Sequence, residues 1–202
     1  MEEKRIITIS REFGSGGRSI GKALAEKLGI AYYDKELIKE VAEKTGFDPT
    51  YIEEAGEYTK SKWTFLPPVS PSGSVMGGMS AADYLWVMQR KVILDLAEKE
   101  SCVIVGRSAD YILKDRGDCM HVFIHADMAF RAERIVRLYG ESEKTPENRL
   151  NEKDGKRRIN YKHYTDREWG LCQNYTLSLN SGVIGIEKCV DLIVSLVQQR
   201  ED

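Results

Sequence analysis

The chain has 202 residues and carries 42% hydrophobic and 31% charged residues, the balance of a globular domain rather than a disordered chain, a collagen-like repeat or a coiled-coil rod. Thirty Lys and Arg stand against 32 Asp and Glu, a formal net charge of -2, so there is no chain-wide basic field for gripping nucleic acid. Any anion site has to be local.

No apolar run approaches the roughly 20 residues that cross a bilayer. Met1-Glu2-Glu3-Lys4-Arg5 leads straight into a short strand-like run without the long apolar segment of an export signal. The expectation is a cytoplasmic protein with no membrane partner. Its four cysteines, Cys102, Cys119, Cys172 and Cys189, are widely spaced and expected to stay reduced.

In chain order, Ile6-Ile7-Thr8-Ile9 is a β-branched run ending at Ser10, followed by glycines and a helical stripe of Ile20, Ala23, Leu24 and Leu28 that stops at Gly29. Ile30 to Tyr33 reads as a second strand, and Leu37, Ile38 and Val41 begin the next helix. Residues 61–80 hold three prolines and three glycines with little periodicity, which reads as a mobile loop or small insert. Ser80 with Asp83 resembles a capping box ahead of the stripe Leu85, Met88, Val92 and Leu96. Cys102 to Val105, His121 to Ile124 and Thr176 to Leu179 are three further short runs suited to buried parallel strands. His121 and His125 share a strand face but lie about 13 Å apart, too far for a shared metal. Arg131, Arg134 and Arg137 recur every three residues and read as a solvated helix face. Thr145-Pro146 starts another helix, and Ile186, Val190, Ile193 and Val197 close the chain with an amphipathic one. Strands alternating with helices predict a three-layer α/β/α domain with a five-stranded parallel sheet.

In such sheets ligands bind at the carboxyl ends of the strands. The first of these ends is Ser10-Arg11-Glu12-Phe13-Gly14-Ser15-Gly16-Gly17-Arg18-Ser19. A strand feeding glycines that open a helix lets backbone N–H groups converge on a phosphate, with the helix dipole behind them. Against the pattern G-x-x-x-x-G-K-[ST], Gly17 and Ser19 fit, Glu12 replaces the first glycine and Arg18 replaces the lysine. Ser19 is either a Mg²⁺ ligand or a simple helix cap. Downstream, residues 149–167 hold seven Lys and Arg against three acids. Asp154 and Arg157 there share one helix face, which fits a functional pair or a plain intrahelical ion pair. Arg18, Arg107 and Arg157 come from three distant segments, as phosphoryl transfer requires of its cations.

Ile7-Thr8-Ile9-Ser10 with Gly14-Ser15-Gly16, then Ala23 to Gly29, Tyr32-Tyr33-Asp34, Gly106-Arg107 and Asp154-x-x-Arg157 resemble the cytidylate-kinase-like family of P-loop proteins across nearly the whole chain. The resemblance implies a P-loop kinase-like domain over residues 1–202, with an acceptor-binding insert at about 35–80 and a helical lid at about 141–169. It implies that Gly14, Ser15, Gly16, Gly17, Arg18 and Ser19 hold ATP and its Mg²⁺, the metal on Ser19. Asp34, Arg107 and Asp154 would bind a small phosphorylated acceptor, with CMP or dCMP the first choice. Arg18, Arg107 and Arg157 would act on the transferring phosphate. The family's lysine falls at Gly17 in one alignment and at Arg18 in the other. A non-enzymatic nucleotide-binding or regulatory protein is the competing reading, and a nucleic-acid module on the basic helix a third, opposed by the net charge.

Overall fold

The computed structural model describes residues 5–56 and 79–199. β1 (Ile6–Arg11) leads through residues 12–16 into α1 (Gly17–Leu28), followed by β2 (Ala31–Tyr33), α2 (Lys35–Thr45) and α3 (Pro49–Ala55). Beyond them come α4 (Ala81–Lys99), β3 (Cys102–Val105), the one-turn α5 (Ala109–Ile112), β4 (Cys119–His125), α6 (Met128–Tyr139) and α7 (Pro146–Thr165). β5 (Leu177–Asn180), α8 (Ser181–Ile184) and α9 (Ile186–Gln198) complete the chain. The strands pair in parallel in the order β2-β3-β1-β4-β5, which puts β1 at the centre.

Alternation along β1 distributes its side chains to two cores. Ile7 and Ile9 join Ile20 and Leu24 of α1 and Val190 and Ile193 of α9 on one face. Ile6 joins Leu37, Val92 and Leu96 of the α2 and α4 layer on the other. Each fully buried aliphatic side chain contributes about 1.5–3 kcal/mol, so the two faces clamp the sheet from both sides. The five strands and the α/β/α layering follow the sequence reading. β1 runs on to Arg11 rather than stopping at Ser10, and β4 begins at Cys119.

Helix ends follow their sequence signals as well. Gly29 caps α1 in the left-handed conformation at φ +66°. Ser80 accepts the Asp83 N–H, and Thr145 accepts from Asn148 with Pro146 in the first turn of α7. The stripe of α4 differs by one position: Gln89 is buried in its middle, while Met88 is only half-buried. Of the expected insert, α2 and α3 are described; the loop reading for residues 61–80 lies, up to residue 78, outside the described residues.

Behind the strand ends, the fully buried carboxylate of Asp110 accepts from Ser10 Oγ (3.0 Å) and Tyr161 Oη (2.7 Å), tying β1, α5 and α7 together. Burial raises its pKa against the opposing pull of these two hydrogen bonds. A carboxyl with a raised native pKa holds its proton where the unfolded chain has released it. Stability therefore falls as pH rises from about 4 through the native pKa. Asp110→Asn should remove that component, so its stability relative to the wild type should improve between pH 4 and pH 7 in urea titrations. A constant difference across that range would mean that burying the charge carries no penalty.

Candidate active site

Residues 12–16 form a loop between β1 and α1 that is fixed from every side. Glu12 N–H donates to Ile124 O of β4 (3.0 Å), and Ser15 Oγ donates to Glu12 O (2.9 Å). Ser181 Oγ donates to Ser15 O (2.5 Å) from α8. Gly14 and Gly16 take φ +83° and +87°, and a Cβ on either would stand 2.9 Å from Arg131 O or Ile186 Cδ1. Both the left-handed backbone and the close approach exclude other residues. The N-cap of α1, Gly16, supplies no side-chain cap, so the first-turn N–H groups and the helix dipole face the loop cavity.

That cavity measures about 250 Å³. Five cations line it (Arg11, Arg18, Arg134, Lys153 and Arg157) against three carboxylates, Glu12, Glu53 and Glu54. A second, narrower cavity of about 20 Å³ adjoins the end of β3 and shares Arg11 and Arg157, adding Arg107. The structure thus brings Arg157 beside the loop and beside Arg107, three segments converging on one end of the sheet.

Each expected residue is held by definite partners. Arg18 turns outward to Asp34 at the end of β2, with Nε 3.0 Å from Oδ2 and Nη2 donating to Oδ1 at 3.3 Å. Beside them the Tyr32 hydroxyl is pushed up to about 12 by burial and then by Asp34, with Arg18 and Arg11 pulling it down. Ser19 Oγ accepts from Arg134 Nη2 at 2.9 Å. Arg107 donates to Ile52 O of α3 (2.7 Å), and its own carbonyl accepts from the buried Gln89 amide (3.2 Å). The turn carrying it is strained: Arg107 and the following Ser108 have φ +60° and +53°, a conformation worth roughly 1–3 kcal/mol of strain per residue and characteristic of functional sites.

Asp154 is engaged with the loop. Its carboxylate accepts Phe13 N–H (2.8 Å), Arg131 Nη1 (2.6 Å) and Arg157 Nη1 (3.3 Å), and Arg157 Nη1 also reaches Arg11 O (3.2 Å). The sequence expectation of an acceptor-binding Asp154 therefore meets a carboxylate buried against the glycine loop. The expectation of a solvated α6 face is overturned: Arg131 and Arg134 are only 6% and 9% exposed, turned inward on the loop, and only Arg137 is exposed. A period of three places residues on one side of a helix but cannot say whether that side meets water. Residues 141–169, expected as a lid, include α7, which is docked here through Leu150, Asp154, Arg157, Asn160 and Tyr161.

A parallel sheet with a glycine loop leading into a helix N-terminus, ringed by cations from separate elements, defines a P-loop phosphotransferase. The described helices include none long and apolar enough to cross a membrane. Residues 6–183 match the cytidylate kinase-like family, and the chain belongs to it. It is a nucleoside monophosphate kinase-like enzyme. It is 29% identical to a cytidylate kinase of Archaeoglobus fulgidus over 201 residues, 96% of each chain. A solved protein of Eubacterium ventriosum superposes with a TM-score of 0.73 at 28% identity, covering 96% of this chain and 99% of that one. The shikimate kinase of Acinetobacter baumannii shares the fold at TM-score 0.57 and 17% identity, covering 98% and 96%.

Sequence reasoning missed Gln89, Arg131 and Arg134. The signal for Gln89 was a polar residue at position i+4 from Leu85 on an apolar stripe. For the arginines it was their place on the helix that follows the central sheet's β4. Asp154→Asn should cost about 3–5 kcal/mol in chemical denaturation, because the buried negative charge that faces Arg131 and Arg157 is lost. Glu152→Gln on the exposed face of the same helix should cost less than about 1 kcal/mol, although Glu152 pairs with Lys144 and Lys156. Equal costs would mean that the buried network is not what holds α7.

Proposed function

We propose that the enzyme moves the γ-phosphate of ATP to a nucleoside monophosphate, with CMP or dCMP as the preferred acceptor. The observation that carries this reading is the double cavity: a large one at the glycine loop for the triphosphate and a narrow one at Arg107 for the acceptor phosphate, sharing Arg157 between them. Phosphoryl transfer asks the protein mainly for positioning and charge neutralisation, and this is the means it has. Gly14, Ser15, Gly16 and Gly17 offer backbone N–H groups to the triphosphate, and Arg157 faces the transferring group from α7. Arg107 grips the acceptor phosphate, and Asp34 stands at the acceptor side with Arg18.

Mg²⁺ travels with the triphosphate in this reading and takes most of its ligands from phosphate and water. Ser19 fits as its protein ligand: the hydroxyl lies in the loop cavity and uses one lone pair on Arg134, which leaves the other. The ion, when bound, neutralises charge on the phosphate oxygens. Asp154 serves by holding Arg157 and the loop in register. Residues 141–169 act as a lid whose exposed face, with Lys153, adjusts over bound phosphates while its buried face stays docked. A cytoplasmic setting suits four free thiols, three of them buried.

Saturating Mg²⁺-ATP, at about a hundred times its dissociation constant, should stabilise the protein by about 2.7 kcal/mol in thermal unfolding. A coupled assay should then detect ADP release with CMP, dCMP or UMP. Silence with all three would overturn the acceptor. Arg107→Ala should weaken monophosphate binding and spare ATP; the opposite pattern in titration would move Arg107 to the donor side. Arg157→Ala should lower turnover by about 10²-fold or more with little change in ATP affinity.

A further inference from the structure

The ordinary phosphate loop carries a lysine that reaches the β- and γ-phosphates, and neither residue aligned with it here is a lysine. Gly17 has no side chain. Arg18 lines the loop cavity with its guanidinium paired to Asp34. Yet the reason Gly17 lacks a side chain is visible. A Cβ built on Gly17 would stand 2.5 Å from Cβ and 2.8 Å from Cγ of Arg11, and no real Cβ approaches so closely. Arg11 occupies the space into which a side chain at position 17 would have to grow.

Its setting fits the same work. Arg11 is the last residue of β1, in register with Ile7 and Ile9 and therefore on the α1 face. It is 5% exposed and lines both cavities, the one at the loop and the one at Arg107. Its charge is felt at the Tyr32 hydroxyl, which lies 3.5 Å from Arg18 O at the first turn of α1. The Arg11 side chain thus starts against Gly17 at the helix N-terminus and belongs to the walls of both cavities. Its backbone carbonyl is held by Arg157 Nη1 at 3.2 Å, which fixes the residue from which the side chain springs.

We propose that Arg11 replaces the phosphate-loop lysine, delivering from the strand a cation that holds the β- and γ-phosphate oxygens of the bound triphosphate. The exchange is reciprocal: the arginine at position 11 requires the glycine at position 17. A guanidinium can hold two phosphate oxygens in a fork where an ammonium presents a point charge. The inference rests on the phosphate-loop reading above and adds to it a residue which that reading leaves out.

The test is calorimetric titration of the full chain with Mg²⁺-ATP, Mg²⁺-ADP, AMP and CMP. Arg11→Met keeps the methylenes that pack on Gly17 and removes the charge. It should still unfold in one cooperative transition, weaken ATP and ADP about 10- to 100-fold, and change AMP and CMP by less than threefold. The double variant Arg11→Gly with Gly17→Lys moves the cation back onto the helix and should recover at least tenfold in ATP affinity over Arg11→Gly alone. A wild type that binds neither ATP nor ADP would overturn the phosphate-loop reading itself. A wild type that binds ATP, with Arg11→Met binding it equally well, losing CMP instead, or losing all four ligands alike, would overturn the assignment of Arg11 alone. Should the double variant fail to fold, Arg11→Met still decides.

Discussion

The carboxylate of Asp154 is the point on which the site is balanced. Arg131, Arg157 and the Phe13 N–H all converge on it, from α6, α7 and the glycine loop. Two buried cations a few ångströms apart repel by several kcal/mol at an effective dielectric near 20. Without a counter-charge they would have to move into solvent and take their helices with them. Asp154 faces both of them, and through the Phe13 N–H it also holds the loop. Glu12 adds a second acid on Arg131, 3.4 Å from its Nε, and accepts the Ala126 N–H (3.2 Å). The glycine loop is thereby held in shape by charged side chains of the protein itself.

From this balance follows a division of labour among the arginines. Those on α6 and α7 that face the acids position the loop, with Arg157 also opening onto both cavities. Arg107 is held by a different device, a turn with two consecutive non-glycine residues at positive φ, braced by Gln89 and by the Ile52 carbonyl. Strain of that kind persists only where surrounding contacts over-determine the backbone. Here the bracing comes from α3 and α4, the helices on either side of residues 57–78. The Arg107 end of the site therefore depends on α3 and α4, and the glycine-loop end on α6 and α7. Arg11 stands where the two meet.

The architecture was legible in the residues themselves. Short apolar runs alternating with helical stripes suffice for a parallel sheet, because only helices on both faces can bury strands of that kind. The glycine loop was equally local: positive φ at Gly14 and Gly16, the chain turn and the helix start all lie within one short stretch of chain. Family resemblance drew attention to Arg107, Asp154 and Arg157, and the fold brings them to one end of the sheet.

What the sequence determined by itself is thus whatever depends on neighbours in the chain: strand and helix identity, caps at Gly29, Ser80 and Thr145, and the phosphate loop. What only the tertiary structure decided is which charge meets which. Arg131 and Asp154 lie 23 residues apart, Arg134 and Ser19 115 apart, and Arg11 packs on Gly17 across a turn whose geometry no periodicity describes. An arginine on a helix reads the same whether its face meets water or a buried carboxylate. Only the packing that removes water sets its partner, and with it the work that the side chain can do.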